Sequence, residues 1–87
     1  MAFFIMYHTY IIYSATIDKY YIGSCGNLAN RILDHNIGHL VFTKVGKPWE
    51  LKWSKEFSTR SEAVREEMML KKKKSRKYLE YLISSAT

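Results

Sequence analysis

The stretch on which the fold turns reads His8-Thr9-Tyr10-Ile11-Ile12-Tyr13-Ser14, then Ala15-Thr16-Ile17-Asp18-Lys19, then Tyr20-Tyr21-Ile22-Gly23-Ser24. Its two flanks are rich in β-branched and aromatic residues, which suit a pleated, half-buried surface. The segment between them has the length and polarity of a turn. The pattern predicts a β-hairpin pairing His8–Ser14 with Tyr20–Ser24. Gly23 and Gly26 bracket the exit of the second strand. Asn27 is placed to cap a helix reaching about Asn36, which Gly38 would end.

Residues 37–48 read as a loop closed by Gly46-Lys47-Pro48. In the next segment Trp49, Leu51 and Trp53 alternate with Glu50, Lys52 and Ser54, the period-two pattern of a half-buried strand running to Phe57. Thr59 has Glu62 at capping-box spacing and opens a helix to about Lys73. A last helix starts near Ser75, with Tyr78, Leu79, Leu82 and Ile83 facing inward. The order is β-β-α-β-α-α, an α+β arrangement with an antiparallel sheet packed by helices.

Eighty-seven residues hold one domain, taken as residues 1–87 with a core of about 9–83. With 47% apolar and 25% charged residues the balance is globular, which excludes disorder. Four glycines and one proline exclude collagenous and low-complexity classes. The lone Cys25 excludes a disulfide scaffold and suits a reducing compartment. No run approaches the roughly 20 apolar residues that span a bilayer. The greasy start, Met1 to Tyr7, lacks the basic flank of a signal peptide. The chain therefore reads as soluble and cytoplasmic, with no membrane partner. Its run from Phe3 to Tyr7 either pads a dimer or extends the first strand.

The net charge of +6 is unevenly placed. Lys19 and Arg31 cancel Asp18 and Asp34 in residues 1–43, so the whole excess lies in residues 44–87. Its densest part is Lys71-Lys72-Lys73-Lys74-Ser75-Arg76-Lys77. Such asymmetry suits an anionic polymer, because each phosphate neutralised releases counterions. A solvated helix end that complements the helix dipole has the same look. So has a site for an acidic protein or a membrane surface.

Three groups of residues have the types that chemistry uses. Tyr10 and Tyr21 lie eleven apart, close enough across a hairpin to share a groove, although tyrosines in strands need no role beyond packing. Arg31 and His35 stand one helical turn apart and point the same way. Arginine suits phosphate oxygens and histidine suits proton transfer near neutral pH, yet both are ordinary on a solvated helix. Glu67 falls inside an apolar stripe formed by Ala63, Val64, Met68 and Leu70. A carboxylate there needs a partner. It is either the ion-pair partner of a group such as Arg31 or a ligand for a divalent cation, for which one carboxylate with waters and a substrate phosphate suffices. His8, His35, His39 and Cys25 lack zinc spacing. Cys25 has no catalytic partner in sequence. Neither a Walker loop nor a GxGxxG is present, so no nucleotide cofactor is supported.

Taken in order, Tyr10, Tyr21-Ile22-Gly23, Arg31, His35 and Glu67 resemble the GIY-YIG nuclease superfamily. The likeness is nearest to its small single-domain members, kin to the nuclease module of UvrC-type repair proteins. The second triplet matches in full. The first, His8-Thr9-Tyr10, keeps only its tyrosine. The resemblance spans about Thr9 to Ile83 and implies a three-stranded antiparallel sheet flanked by three helices. It also implies metal-dependent endonuclease action on DNA, in repair or processing. Tyr10 and Tyr21 would position or activate water, with Tyr21 or His35 as the base. Arg31 would hold the scissile phosphate and Glu67 would ligate one Mg²⁺ or Mn²⁺. Gly23 would keep the groove open to the nucleic-acid backbone, and Lys44 would stand in a loop where relatives place a basic or polar residue. Lys71, Lys72 and Lys74 would contact substrate. Two other readings stand beside this one: a nucleic-acid-binding module that selects structure without cutting, and a protein-interaction domain that keeps only the fold.

Overall fold

The computed structural model describes residues 6–38 and 40–85, without the side chains of Val41 and Phe42. His39 and the apolar residues 1–5 lie outside it. The hairpin forms as strands β1 (Tyr7–Ser14) and β2 (Lys19–Cys25). Helix α1 (Leu28–Ile37) follows, then a 3₁₀ segment (Val41–Gly46), strand β3 (Trp49–Phe57) and helices α2 (Arg60–Lys73) and α3 (Arg76–Ser85). The expected order β-β-α-β-α-α is therefore found, in one antiparallel sheet ordered β2-β1-β3. The loop expected over residues 37–48 is more ordered than its composition suggests, because the 3₁₀ turn is built into it.

The helix ends follow their local chemistry. Asn27 accepts from the Asn30 amide at 3.0 Å, and Gly38 ends α1 in the left-handed conformation at φ 80°. The Thr59 hydroxyl accepts from the Glu62 amide at 3.3 Å and donates to the Glu62 carboxylate at 2.9 Å. Ser75 accepts from the Tyr78 amide at 3.2 Å to start α3.

The sheet carries a core on each face. Tyr10, Ile12, Cys25 and Trp49 pack with Leu28 and Ile32 of α1 on one side. Ile11, Leu70 and Leu79 pack with Ile22, Trp53 and Leu82 on the other, beneath α2 and α3. Two expectations need correction. Trp49 and Trp53 do not share a face: the β1–β3 register shifts between Ile11 and Ile12, so the two tryptophans serve opposite cores. On α2, Val64 and Met68 are exposed, Met68 by 64%, and the buried residues are Ala63 and Leu70, with Glu66 and Glu67 half-buried. From α2, Leu70 packs into the cluster around Ile11, and the Ala63 carbonyl meets Thr9.

Candidate active site

β1 is the central strand, and successive side chains along it alternate between faces. Tyr10 thus enters the α1 core while Thr9 enters the α2 side. The Thr9 hydroxyl donates to the Ala63 carbonyl at 2.7 Å. In an α-helix that carbonyl also receives the Glu67 amide, so Thr9 fixes the turn that carries Glu67.

Opposite Tyr10 in the β1–β2 register stands Gly23. A methyl group on Gly23 would come within 2.5 Å of Tyr10 Cζ, so what the glycine accommodates in this structure is the Tyr10 ring. The ring is 1% exposed. Its hydroxyl lies 2.9 Å from His35 Nε2, and His35 Nδ1 lies 2.7 Å from the Thr43 hydroxyl. Thr43 in turn donates to the Leu40 carbonyl at 3.4 Å. That last bond assigns the direction of the chain: Nδ1–H donates to Thr43, leaving Nε2 to accept from Tyr10. His35 is wholly buried, at 0% exposure. Burial first, and then Arg31, push its pKa below the ordinary imidazole value, so it is neutral near pH 7. Burial pushes the Tyr10 phenol well above its usual range; neighbouring Tyr21 adds to this and Arg31 opposes it. The phenol therefore keeps its proton and donates it.

Tyr21 is half-buried beside this pair, its ring 5.2 Å from the His35 ring and 6.3 Å from that of Trp49. Trp49 also fastens the 3₁₀ segment, donating from Nε1 to the Thr43 carbonyl at 2.7 Å. Lys71 Nζ lies 5.8 Å from the Tyr21 ring centroid, on the side facing α2. It pairs with Glu67 Oε2 at 2.6 Å. Glu67 Oε1 accepts from the Ser24 hydroxyl at 2.5 Å. The ion-pair partner of Glu67 is thus Lys71, one turn along its own helix, and not Arg31. Glu67 and Arg31 both act on the Tyr10 phenol, in opposite directions.

Tyr10, Tyr21 and His35 are thus packed together beside β2, at the sheet's edge, with Arg31 and Glu67 near enough to act on the Tyr10 phenol. Lys71 joins them, and Lys74 follows at the C-cap of α2. Lys72 lies on the outer side of α2, beside Met68 and Met69. Lys44 sits exposed on the 3₁₀ segment against the end of α1, its Cγ 3.6 Å from where a Gly38 Cβ would stand. Sequence reasoning missed Thr9, Ser24 and Thr43. Period-two alternation was the available signal for Thr9 and Ser24, since each follows or precedes a site residue on the opposite face. Thr43 had no comparable signal.

Glu67 presents one carboxylate whose second oxygen already meets a cation, and no group of three His, Cys, Asp or Glu gathers among the described residues. That donor set fits Mg²⁺ held by a single carboxylate, waters and substrate phosphate, and does not fit an all-protein cage. No helix among the described residues is long and apolar enough to cross a membrane.

The sequence pattern of the GIY-YIG catalytic domain matches residues 6–79 of this chain. The UPF0213 protein YazA of Bacillus subtilis (strain 168) is 34% identical over 77 residues, covering 84% of this chain and 78% of that protein. No solved structure matches to significance.

Proposed function

This chain belongs to the GIY-YIG family of nucleases, and from that premise we propose that it is a divalent-metal-dependent endonuclease acting on DNA. The observation that supports it is the convergence at β2: a phenol and a guanidinium on one face of the sheet, a carboxylate held by Ser24 on the other.

In this reading Tyr21, Arg31 and Glu67 touch the reacting groups. Arg31 binds the scissile phosphate and offsets the charge that builds on its oxygens. Tyr21 orients the attacking water by accepting a hydrogen bond from it, because it is the phenol that reaches the surface. Tyr10 and His35 are buried, and both His35 nitrogens are engaged. They act as positioning residues that hold the wall behind Tyr21. Glu67 would hold one Mg²⁺ or Mn²⁺, which supplies Lewis-acid polarisation of the phosphodiester when bound. Lys71, which now pairs with Glu67 Oε2, would be placed to meet a phosphate if that carboxylate held a cation instead. The buried free thiol of Cys25 suits a reducing cytoplasm. A role in repair or processing follows from the likeness to UvrC-type modules alone.

The test is cleavage of labelled duplex, nicked, flapped and single-stranded DNA with Mg²⁺, Mn²⁺ or EDTA, beside Glu67→Gln. Cutting that needs metal and disappears in the variant is expected. Equal cutting by the variant, or none by the parent, sinks the assignment and leaves binding without cleavage.

A further inference from the structure

A cleft of about 430 Å³ opens directly beside the site, between β2, the end of α2 and the start of α3. Tyr20 and Tyr21 form one wall, Leu70 and Leu79 its floor, and Lys71 and Lys74 its rim. Tyr21 and Lys71 belong to both cleft and site, so whatever fills the cleft is continuous with the scissile group.

Two observations bear on what fills it. The first is charge. Asp18 is the acid lining the cleft, and it is taken by Arg76 at 2.7 Å. Lys74 makes no ion pair among the described residues, whereas Lys71 is paired with Glu67 at 2.6 Å. The second is backbone conformation. Asp18 and Lys74 are the non-glycine residues with positive φ among those described, at 51° and 48°, and both line this cleft. Lys74 occupies the C-cap of α2, where glycine is the usual residue because it has no Cβ to crowd. At this helix end the lysine carries its side chain beside the cleft.

We propose that the cleft is the subsite for an unpaired nucleotide flanking the scissile phosphate, its base laid against the phenol and leucine walls and its phosphate on Lys74. The volume lies near the lower end of small-ligand pockets, roughly 300–1,000 Å³, and admits one base. Phenol and aliphatic surfaces recognise a base by its face, which is available when the base is unpaired and covered when it is stacked in a duplex. A paired base would have to be taken out of the stack to enter. The substrate class is therefore single-stranded DNA, or a duplex with a flap, gap or bulge. This inference rests on the nuclease reading above, but its test does not use cleavage.

The experiment measures binding in EDTA by fluorescence anisotropy. It compares a dye-labelled twelve-nucleotide single strand with the duplex of the same sequence, across a salt series. The variants are Lys74→Gly, which suits the left-handed backbone and so spares folding, and Lys77→Ala, which removes an equal charge on α3 outside the cleft. The parent is expected to bind the single strand more tightly than the duplex. Lys74→Gly should weaken the single-strand complex about three- to tenfold and lower its salt slope by about 0.7, the value for one phosphate contact. Duplex binding, and all binding by Lys77→Ala, should change by less than about twofold. Tighter binding of duplex by the parent, equal losses on both DNA forms, or equal effects of the two variants would overturn the proposal. Failure of the nuclease reading would show elsewhere, as undiminished cutting by Glu67→Gln with metal present.

Discussion

Replacing Gly23 by alanine should destabilise this domain, and the cause lies in a single ring. The added Cβ would stand 2.5 Å from Tyr10 Cζ and 3.0 Å from Cε1. Carbon atoms in contact sit about 3.5–4.0 Å apart, so the ring must retreat by about 1 Å. It has nowhere to go, since Tyr10 is enclosed by Ile12, Cys25, Trp49 and α1. Retreat also breaks the 2.9 Å bond to His35 Nε2. Overpacking costs about 1–3 kcal/mol, and stranding a buried partner costs about 1–3 kcal/mol more. Exchanging glycine for alanine in a strand returns about 0.5–1 kcal/mol. The net loss is about 1–5 kcal/mol, which in a domain of this size lowers Tm by at least about 4 °C. Thermal unfolding followed by circular dichroism measures it directly. Tyr10→Leu removes the colliding atoms, so the double variant should lose less than the sum of the singles, by about 1–3 kcal/mol. An unchanged or raised Tm for Gly23→Ala, or strict additivity with Tyr10→Leu, would refute the account.

Other outcomes follow from the same geometry. Ser24→Ala removes the hydroxyl that orients Glu67 Oε1 and should weaken Mn²⁺ binding about 10–100-fold, read by electron paramagnetic resonance, with little change in Tm. Thr43→Val leaves His35 Nδ1–H without its acceptor and should cost about 1–3 kcal/mol in urea unfolding; a neutral result would remove Thr43 from the chain. The lowered pKa of His35 means the unfolded chain binds the extra proton first. Stability is therefore fully present above the ordinary value of 6.5 and falls as pH drops below it. An imidazole resonance of His35 titrating at or above 6.5 would contradict this. Tyr10 acts at the other end: its raised pKa predicts loss of stability as pH climbs past 10.

What the sequence carried locally, the structure repeats. The Asn27 cap, the Gly38 stop and the Thr59–Glu62 pair each depend on residues within one turn. The hairpin depends on two short runs and the turn between them. Non-local facts were hidden. The alternation of Trp49, Leu51 and Trp53 looks like one face because a bulge has no signature in a period of two. The apolar stripe of α2 was misplaced because Val64 and Met68 count as apolar wherever they point, and only the packed sheet shows that Ala63 and Leu70 are the residues it covers. Glu67 is half-buried, but so is Glu66, which the stripe puts at its edge. The partners of Glu67 stayed hidden, since Ser24 approaches from another strand and Lys71 looked like one of a run of solvated lysines.

The position of β2 explains why such a small domain can assemble a site from both of its cores. A central strand would keep Tyr21 and Glu67 apart by the full thickness of the sheet. At an edge, the ring of Tyr21 reaches around to within 5.8 Å of Lys71 Nζ, which holds Glu67. Adjacent residues then serve opposite halves: Gly23 makes room for Tyr10 on one face while Ser24 holds Glu67 on the other. The same division applies to the first triplet. His8 and Tyr10 share the α1 face by alternation, but it is Tyr10 that meets His35, while His8 faces Glu56 at 3.6 Å. Thr9 points to the α2 side, where any residue that packs against Ala63 would serve the sheet, and its hydroxyl adds a bond to the turn bearing Glu67. Two members of the triplet therefore act by different routes: the Tyr10 hydroxyl meets His35 directly, while Thr9 acts at one remove, through the backbone of the turn that bears Glu67.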